Sequence, residues 1–300
     1  MIIPEFAPFP PLCLAPVAQA RQPRIRLPVG STDCHCHVFE DFERYPLNVQ
    51  RSYTPASATL EDYLRMCEAV GITRTVQVSA SVYGADNSLT LAIIAKLGQS
   101  RARGVAGVRP DVSSAEIRTL HEAGIRGVRV SSHVKGYGGT DTIPTIAPRI
   151  APYGWHLQVH VHHASELATL EPLLLKAPVP LVFDHMGCVR GSEGVDSPGF
   201  QSLLRILRER DDCWAKIASW QRRSDLGPPT YADMRPYAQA LVATRPDRLV
   251  FVTNWPNPSM FAPEQMPDDG DTVDQFCDWI PDEAVRHKIL VDNPAQLYGF

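Results

Sequence analysis

R-L-V-F-V-T-N-W, residues 248–255, is the last of eight short apolar or β-branched runs spaced along the chain. The others are S-T-D-C-H-C-H-V-F (31–39), T-R-T-V-Q-V-S-A-S (73–81), R-G-V-A-G-V-R-P (103–110), R-G-V-R-V-S-S (126–132), W-H-L-Q-V-H-V-H (155–162), P-L-V-F-D-H-M-G (180–187) and C-W-A-K-I-A-S-W (213–220). Such runs read as strands. Most gaps between them carry apolar residues at helical spacing, as in L-E-D-Y-L-R-M-C-E-A-V-G (60–71) and F-Q-S-L-L-R-I-L-R-E-R (200–210), and three stop at Gly71, Gly98 and Gly124. The Gly- and Pro-rich stretch 136–154 reads as a loop with at most a short helix. Strands alternating with helices must pair in parallel, and eight such units over about 250 residues make a closed (β/α)₈ TIM barrel. A doubly wound open sheet would normally place a glycine-rich phosphate loop after the first strand, where this chain has His-Cys-His.

The 300 residues, 44% hydrophobic, suffice for one large core. A net charge of −4 gives no basic footprint for nucleic acid. No apolar run is long enough to span a membrane. The seven cysteines look scattered apart from Cys34 and Cys36, which suggests reduced thiols in the cytoplasm. The proline-rich start, with no Lys or Arg before its apolar part, argues against a signal peptide. Residues 1–27 read as an extended lead segment and 28–300 as a single barrel domain. The sequence is compatible with a homo-oligomer.

Barrel chemistry gathers at the C-terminal ends of the strands. There the chain places His35 and His37, which share a face, with Cys34 and Cys36 expected to face the helices. Gln158, His160 and His162 alternate on the fifth strand, Asp184-His185 ends the sixth, and Asn254 ends the eighth. A lone histidine at such a position is most simply a satisfied core residue; His35, His37 and His185 together point to chemistry. Arg129, inside the apolar G-V-R-V, must find an anion or reach solvent. Ser79 and Tyr83 stand at the rim of the second strand as hydrogen-bond donors.

D-C-H-C-H (33–37), V-F-D-H-M-G (182–187), T-N-W-P-N-P (253–258) and D-N-P-A-Q-L-Y (292–298) together resemble the amidohydrolase superfamily. More narrowly, they resemble its branch of 2-pyrone-4,6-dicarboxylate lactonases, 4-sulfomuconolactone hydrolases and galactarolactone isomerases. G-x-D-N (84–87) and P-D-D-G (267–270) agree. The resemblance implies hydrolysis of a small anionic lactone. His35, His37 and His185 would polarise the carbonyl, and His185 or His160 would serve as base. Arg129 and Arg222 fall on arginine positions that hold substrate carboxylates, and Lys135 falls where a third arginine stands. The pyrone-dicarboxylate lactonase works without a metal, so no cofactor is expected; the alternative is one divalent ion such as Zn²⁺ on His35, His37 and His185. Asn254 falls on the family's strand-eight aspartate. An amide cannot accept a proton at neutral pH, although it can hold a water or hydroxyl. The alternatives are therefore a lactone isomerase, in which an internal hydroxyl attacks, or an Asp-to-Asn inactivated lactonase that binds without turnover.

Overall fold

The computed structural model describes residues 10–133 and 137–300. Eight strands form one parallel sheet in sequential order: β1 (Thr32–Cys36), β2 (Arg74–Val78), β3 (Ala102–Ala106), β4 (Ile125–Ser131), β5 (His156–His160), β6 (Leu181–Phe183), β7 (Cys213–Ile217) and β8 (Leu249–Phe251). Helices cover the outside, including α1 (Leu60–Val70), α2 (Ser88–Leu97), α3 (Ser114–Glu122), α4 (Ile143–Ile150), α5 (Ser165–Leu174) and α6 (Pro198–Glu209). This is the expected TIM barrel. The Gly- and Pro-rich stretch contains α4, a short helix of 8 residues that buries Ile143, Ile146 and Ile150. Among the described residues, no helix is long and apolar enough to cross a membrane.

Local chemistry explains the elements. In α1 the Thr59 hydroxyl accepts from the Asp62 amide while the Asp62 carboxylate accepts from the Thr59 amide, a reciprocal cap. Leu60, Tyr63, Met66, Cys67 and Val70 form its buried stripe, and Gly71, at φ 96°, ends it in the left-handed region. Each strand ladder ends before its apolar run does. The residues just past the ladder leave the sheet and turn into the site.

Strand β1 departs from simple alternation. Asp33 pairs with Thr75, but Cys36 pairs with Gln77, so β1 carries one extra residue. This bulge corrects the expected facing of the cysteines. Cys36 packs outside among the residues under the helices, whereas Cys34 lies inside the barrel with Val76, Val182, Trp214, Val250 and Tyr298. Tyr298 comes from the last helix, Asn293–Tyr298, which closes the N-terminal end of the barrel. Arg103 donates to the carbonyls of Tyr298 and Gly299 at 3.1 and 2.7 Å, fixing that plug.

The bulge also frees the Asp33 carboxylate to close the seam between β1 and β8. It accepts from the His35 amide (3.1 Å), the Thr253 amide (3.0 Å), the Thr253 hydroxyl (2.6 Å) and the Tyr63 hydroxyl (3.0 Å). Beyond it, the Asn254 amide donates to the His35 carbonyl at 3.0 Å and the His37 amide to the Trp255 carbonyl at 2.8 Å. Asn254 is thereby tied to the histidine pair through backbone alone. Along the barrel flank, the Cys13 amide bonds Thr54 and the Leu14 amide bonds Met260, while Arg21 pairs with Asp274 and Arg24 with Asp278.

Candidate active site

His35, His37, His160, His185 and Asn254 are all buried at the C-terminal end of the barrel. The first four form one cluster. His35 Nε2 lies 3.2 Å from His37 Nε2. Ring centroids are 5.1 Å apart for His35 and His185, and 5.7 Å for His160 and His185. Each ring is held from behind. His37 Nδ1 lies 2.8 Å from the Val78 carbonyl, His185 Nδ1 2.9 Å from the Ser219 hydroxyl, and His160 Nδ1 2.9 Å from the Ser131 hydroxyl.

The backbone is strained where these groups turn inward. His185, Ser219, Asn254 and Asn257 have φ of 50°, 56°, 61° and 59°. Left-handed non-glycine residues cost free energy, and they gather at sites where geometry matters more than local comfort. Asn is among the side chains that tolerate this region best.

Burial drives every imidazole of the cluster toward its neutral form. His37 is lowered to about 3, first by burial and then by Arg129. His35, His160 and His185 lie well below the ordinary histidine value, again chiefly through burial; Lys216 adds to it at His35. Neutral rings can each donate and accept one hydrogen bond, which suits polarising a carbonyl and receiving a proton.

Beneath the histidines lies a charged layer. Asp184 accepts from Arg129 Nε at 2.9 Å and from the Gln158 amide at 3.2 Å. Its other oxygen is 3.2 Å from Lys216 Nζ and 3.3 Å from His35 Nδ1. Burial alone would push this carboxyl up, but Lys216 and then Arg129 hold it well below the ordinary carboxylate value. Lys216 and the role of Asp184 went unread in the sequence, although C-W-A-K-I carries the same signal as G-V-R-V: one cation in a buried apolar strand.

The expected binding residues are divided. Arg129 is committed to Asp184 through its Nε. Arg222 is half-buried beside the mouth, donating to the Pro258 carbonyl at 3.3 Å, and its buried Nε lacks a hydrogen-bond partner. Burial, then Arg223, lowers it to about 10, so it remains a cation at neutral pH. The buried Ser79 and Tyr83 hydroxyls and the Asn254 side-chain amide are likewise unpartnered. Buried donors without partners call for an explanation, and a polar ligand supplies one. Lys135 lies outside the described residues.

His35, Asp184 and His185 bring ligand atoms within 4.8 Å of one another, with the donor types of a divalent-metal site. Asp184 thus stands in that grouping where His37 was expected. Its carboxylate is shared by two cations, Arg129 and Lys216.

The amidohydrolase family profile matches residues 32–300. Over 290 residues, covering 94% of each chain, the sequence is 36% identical to a 2-pyrone-4,6-dicarboxylate hydrolase of Comamonas testosteroni. It is 37% identical to a 4-sulfomuconolactone hydrolase of Rhizobium radiobacter, covering 100% of this chain and 99% of that one. An apo crystal structure from Agrobacterium tumefaciens superposes with a TM-score of 0.83 at 28% identity, covering 93% of this chain and 98% of that one. The barrel, the histidine cluster and these full-length similarities agree: the chain belongs to the amidohydrolase family.

Proposed function

We infer that this enzyme is a hydrolase that opens a small anionic lactone, in the manner of pyrone-dicarboxylate and sulfomuconolactone hydrolases. The observation that carries the reading is the clustering of His35, His37 and His185 beside cationic Arg129 and Arg222 at the catalytic end of the barrel. Arg222, Ser79 and Tyr83 bind the substrate's anionic groups, with Arg129 adding positive field; Lys135 is assigned to the same task.

In the reaction, water attacks the lactone carbonyl carbon and the ring C–O bond breaks. The water's proton passes to a base and then to the departing ring oxygen. His37 is the base we assign. Its Nδ1 faces a carbonyl, which can only accept, so a neutral ring leaves the lone pair on Nε2. That contact moves the role from His185 or His160, the candidates on residue type alone. His35, His185 and His160 stabilise the developing oxyanion, and Asn254 positions the water.

A divalent ion fits these residues poorly. It would share its one carboxylate, Asp184, with two cations, and β8 supplies an amide where a second acid would stand. The buried free cysteines accord with a reducing compartment, and we assign the cytoplasm.

The test is a panel of 2-pyrone-4,6-dicarboxylate, muconolactones and galactarolactones, following ring opening and acid release. Net acid is the expected product. A new lactone without acid would favour transfer to an internal hydroxyl, the second reading that Asn254 allows.

Arg222→Gln keeps hydrogen-bonding capacity but removes the charge, and should raise KM by about 10- to 100-fold on dianionic lactones, with the smaller effect on kcat. A monoanionic analogue should discriminate less between the two proteins. The site also sets a pH dependence. His37, with a pKa of about 3, stays unprotonated far below the ordinary imidazole range. A plot of kcat/KM should therefore run flat from about pH 5 to 8. A half-loss centred near the free-histidine value of about 6.5 would show that the base is a solvated imidazole instead.

A further inference from the structure

The histidine pair has a determined proton order, and it can be followed from one end. The Val78 carbonyl accepts from His37 Nδ1 at 2.8 Å, so in the neutral ring Nε2 is bare. Two bare ring nitrogens would repel at the 3.2 Å that separates His37 Nε2 from His35 Nε2, so the hydrogen between them belongs to His35. His35 Nδ1 must then be bare too, and it needs a donor.

Two donors face it: Lys216 Nζ at 3.1 Å and the Gln158 side-chain amide at 3.5 Å. One acceptor competes. Asp184 Oδ1, 3.3 Å away, would favour a hydrogen on Nδ1 and so the opposite tautomer. Lys216 Nζ also lies 3.2 Å from that same oxygen. That contact is an ion pair without a hydrogen bond, and Asp184 Oδ1 accepts none from the ring either. The hydrogen bond of the amino group goes to His35 Nδ1. A lysine carries N–H groups in either protonation state, so it can donate here whatever its charge. Its side chain is fully buried on β7.

We propose that Lys216 is a positioning residue that fixes His35 as the Nε2–H tautomer. When substrate binds, the hydrogen bond between the two rings opens: the Nε2–H of His35 turns to the lactone carbonyl oxygen, and the lone pair this frees on His37 Nε2 faces the attacking water. Lys216 touches neither substrate nor water; it divides the labour between two chemically identical side chains. The catalytic consequence rests on the hydrolytic reading above, while the tautomer itself does not.

The experiment separates the two. Side-chain ¹⁵N NMR of histidine-labelled protein, with the His35 signals assigned by their loss in His35→Gln, reports which ring nitrogen is protonated. The unmodified chain should show His35 with Nε2 protonated and Nδ1 bare. Lys216→Met removes the nearer donor while keeping most of the apolar stem, and leaves only the Gln158 amide, which is longer at 3.5 Å and also donates to Asp184. Its His35 proton should move to Nδ1, facing Asp184, and kcat should fall by ~10²–10³, the loss typical of one missing oxyanion donor. KM should change by less than about threefold, since binding groups are untouched. A protonated Nδ1 in the unmodified chain overturns the proposal whether or not Lys216→Met folds. So does a loss of activity in Lys216→Met with the tautomer unchanged, or a loss carried by KM. If no lactone of the panel is opened, the hydrolytic reading fails, and the spectrum still decides the tautomer.

Discussion

Asp184→Asn should lose ~3–5 kcal/mol of stability at neutral pH, because it breaks a buried charge pair from one side. The carboxylate is fully buried, and it neutralises Arg129 at 2.9 Å and Lys216 at 3.2 Å. An amide of the same shape can accept one of these contacts but leaves two cations facing a neutral group in a poorly solvated layer. The pH dependence has a definite sign. Asp184 is depressed in the folded state, so its contribution is complete above the unfolded carboxylate value of about 3.9 and fades as pH falls further toward the folded pKa. Denaturant midpoints for the two proteins should therefore differ widely at pH 7 and pH 5, then converge below about pH 4. A loss under ~1 kcal/mol at pH 7 would mean that neither Arg129 nor Lys216 depends on the carboxylate for its charge to be tolerated in the fold.

The barrel was legible because the strand signal recurs eight times with turn residues between, and parallel connection leaves few topologies. His35, His37, His185 and Asn254 were legible because polar side chains at the ends of apolar strands are conspicuous. Three things were not. The bulge at Asp33–Cys36 adds one residue without any Gly or Pro to mark it, and so it reversed the expected facing of Cys34. A single lysine in C-W-A-K-I matches an outward position on an ordinary strand, and only the distance of Lys216 to Asp184 shows which way it points. The assignment of His37 as base depends on the Val78 carbonyl, a backbone contact between β1 and β2 that no residue type encodes.

Asn254→Asp should raise the rate of lactone hydrolysis by ~10²-fold or more, the usual contribution of a positioned general base. The geometry can take the change. Asn254 is held through its own backbone, its amide donating to the His35 carbonyl at 3.0 Å and its carbonyl accepting from the Asn257 amide at 2.7 Å. Its φ of 61° suits Asp nearly as well as Asn. Its side-chain nitrogen makes no hydrogen bond, so replacing it by oxygen breaks none. The cations Arg129, Lys216 and Arg222 gather at the same end of the barrel and favour an ionised carboxylate there. That carboxylate would take the water's proton in place of His37, a base weakened by burial. The measurement is acid release and product identity for both proteins on the same lactone panel. Faster acid release with unchanged ring-opened product fits a hydrolase working with an impaired base. A slower Asn254→Asp variant, beside an unmodified chain that returns a rearranged lactone and no acid, would make the amide part of the mechanism. The nucleophile would then be the substrate's own hydroxyl, held by a side chain that need not deprotonate it.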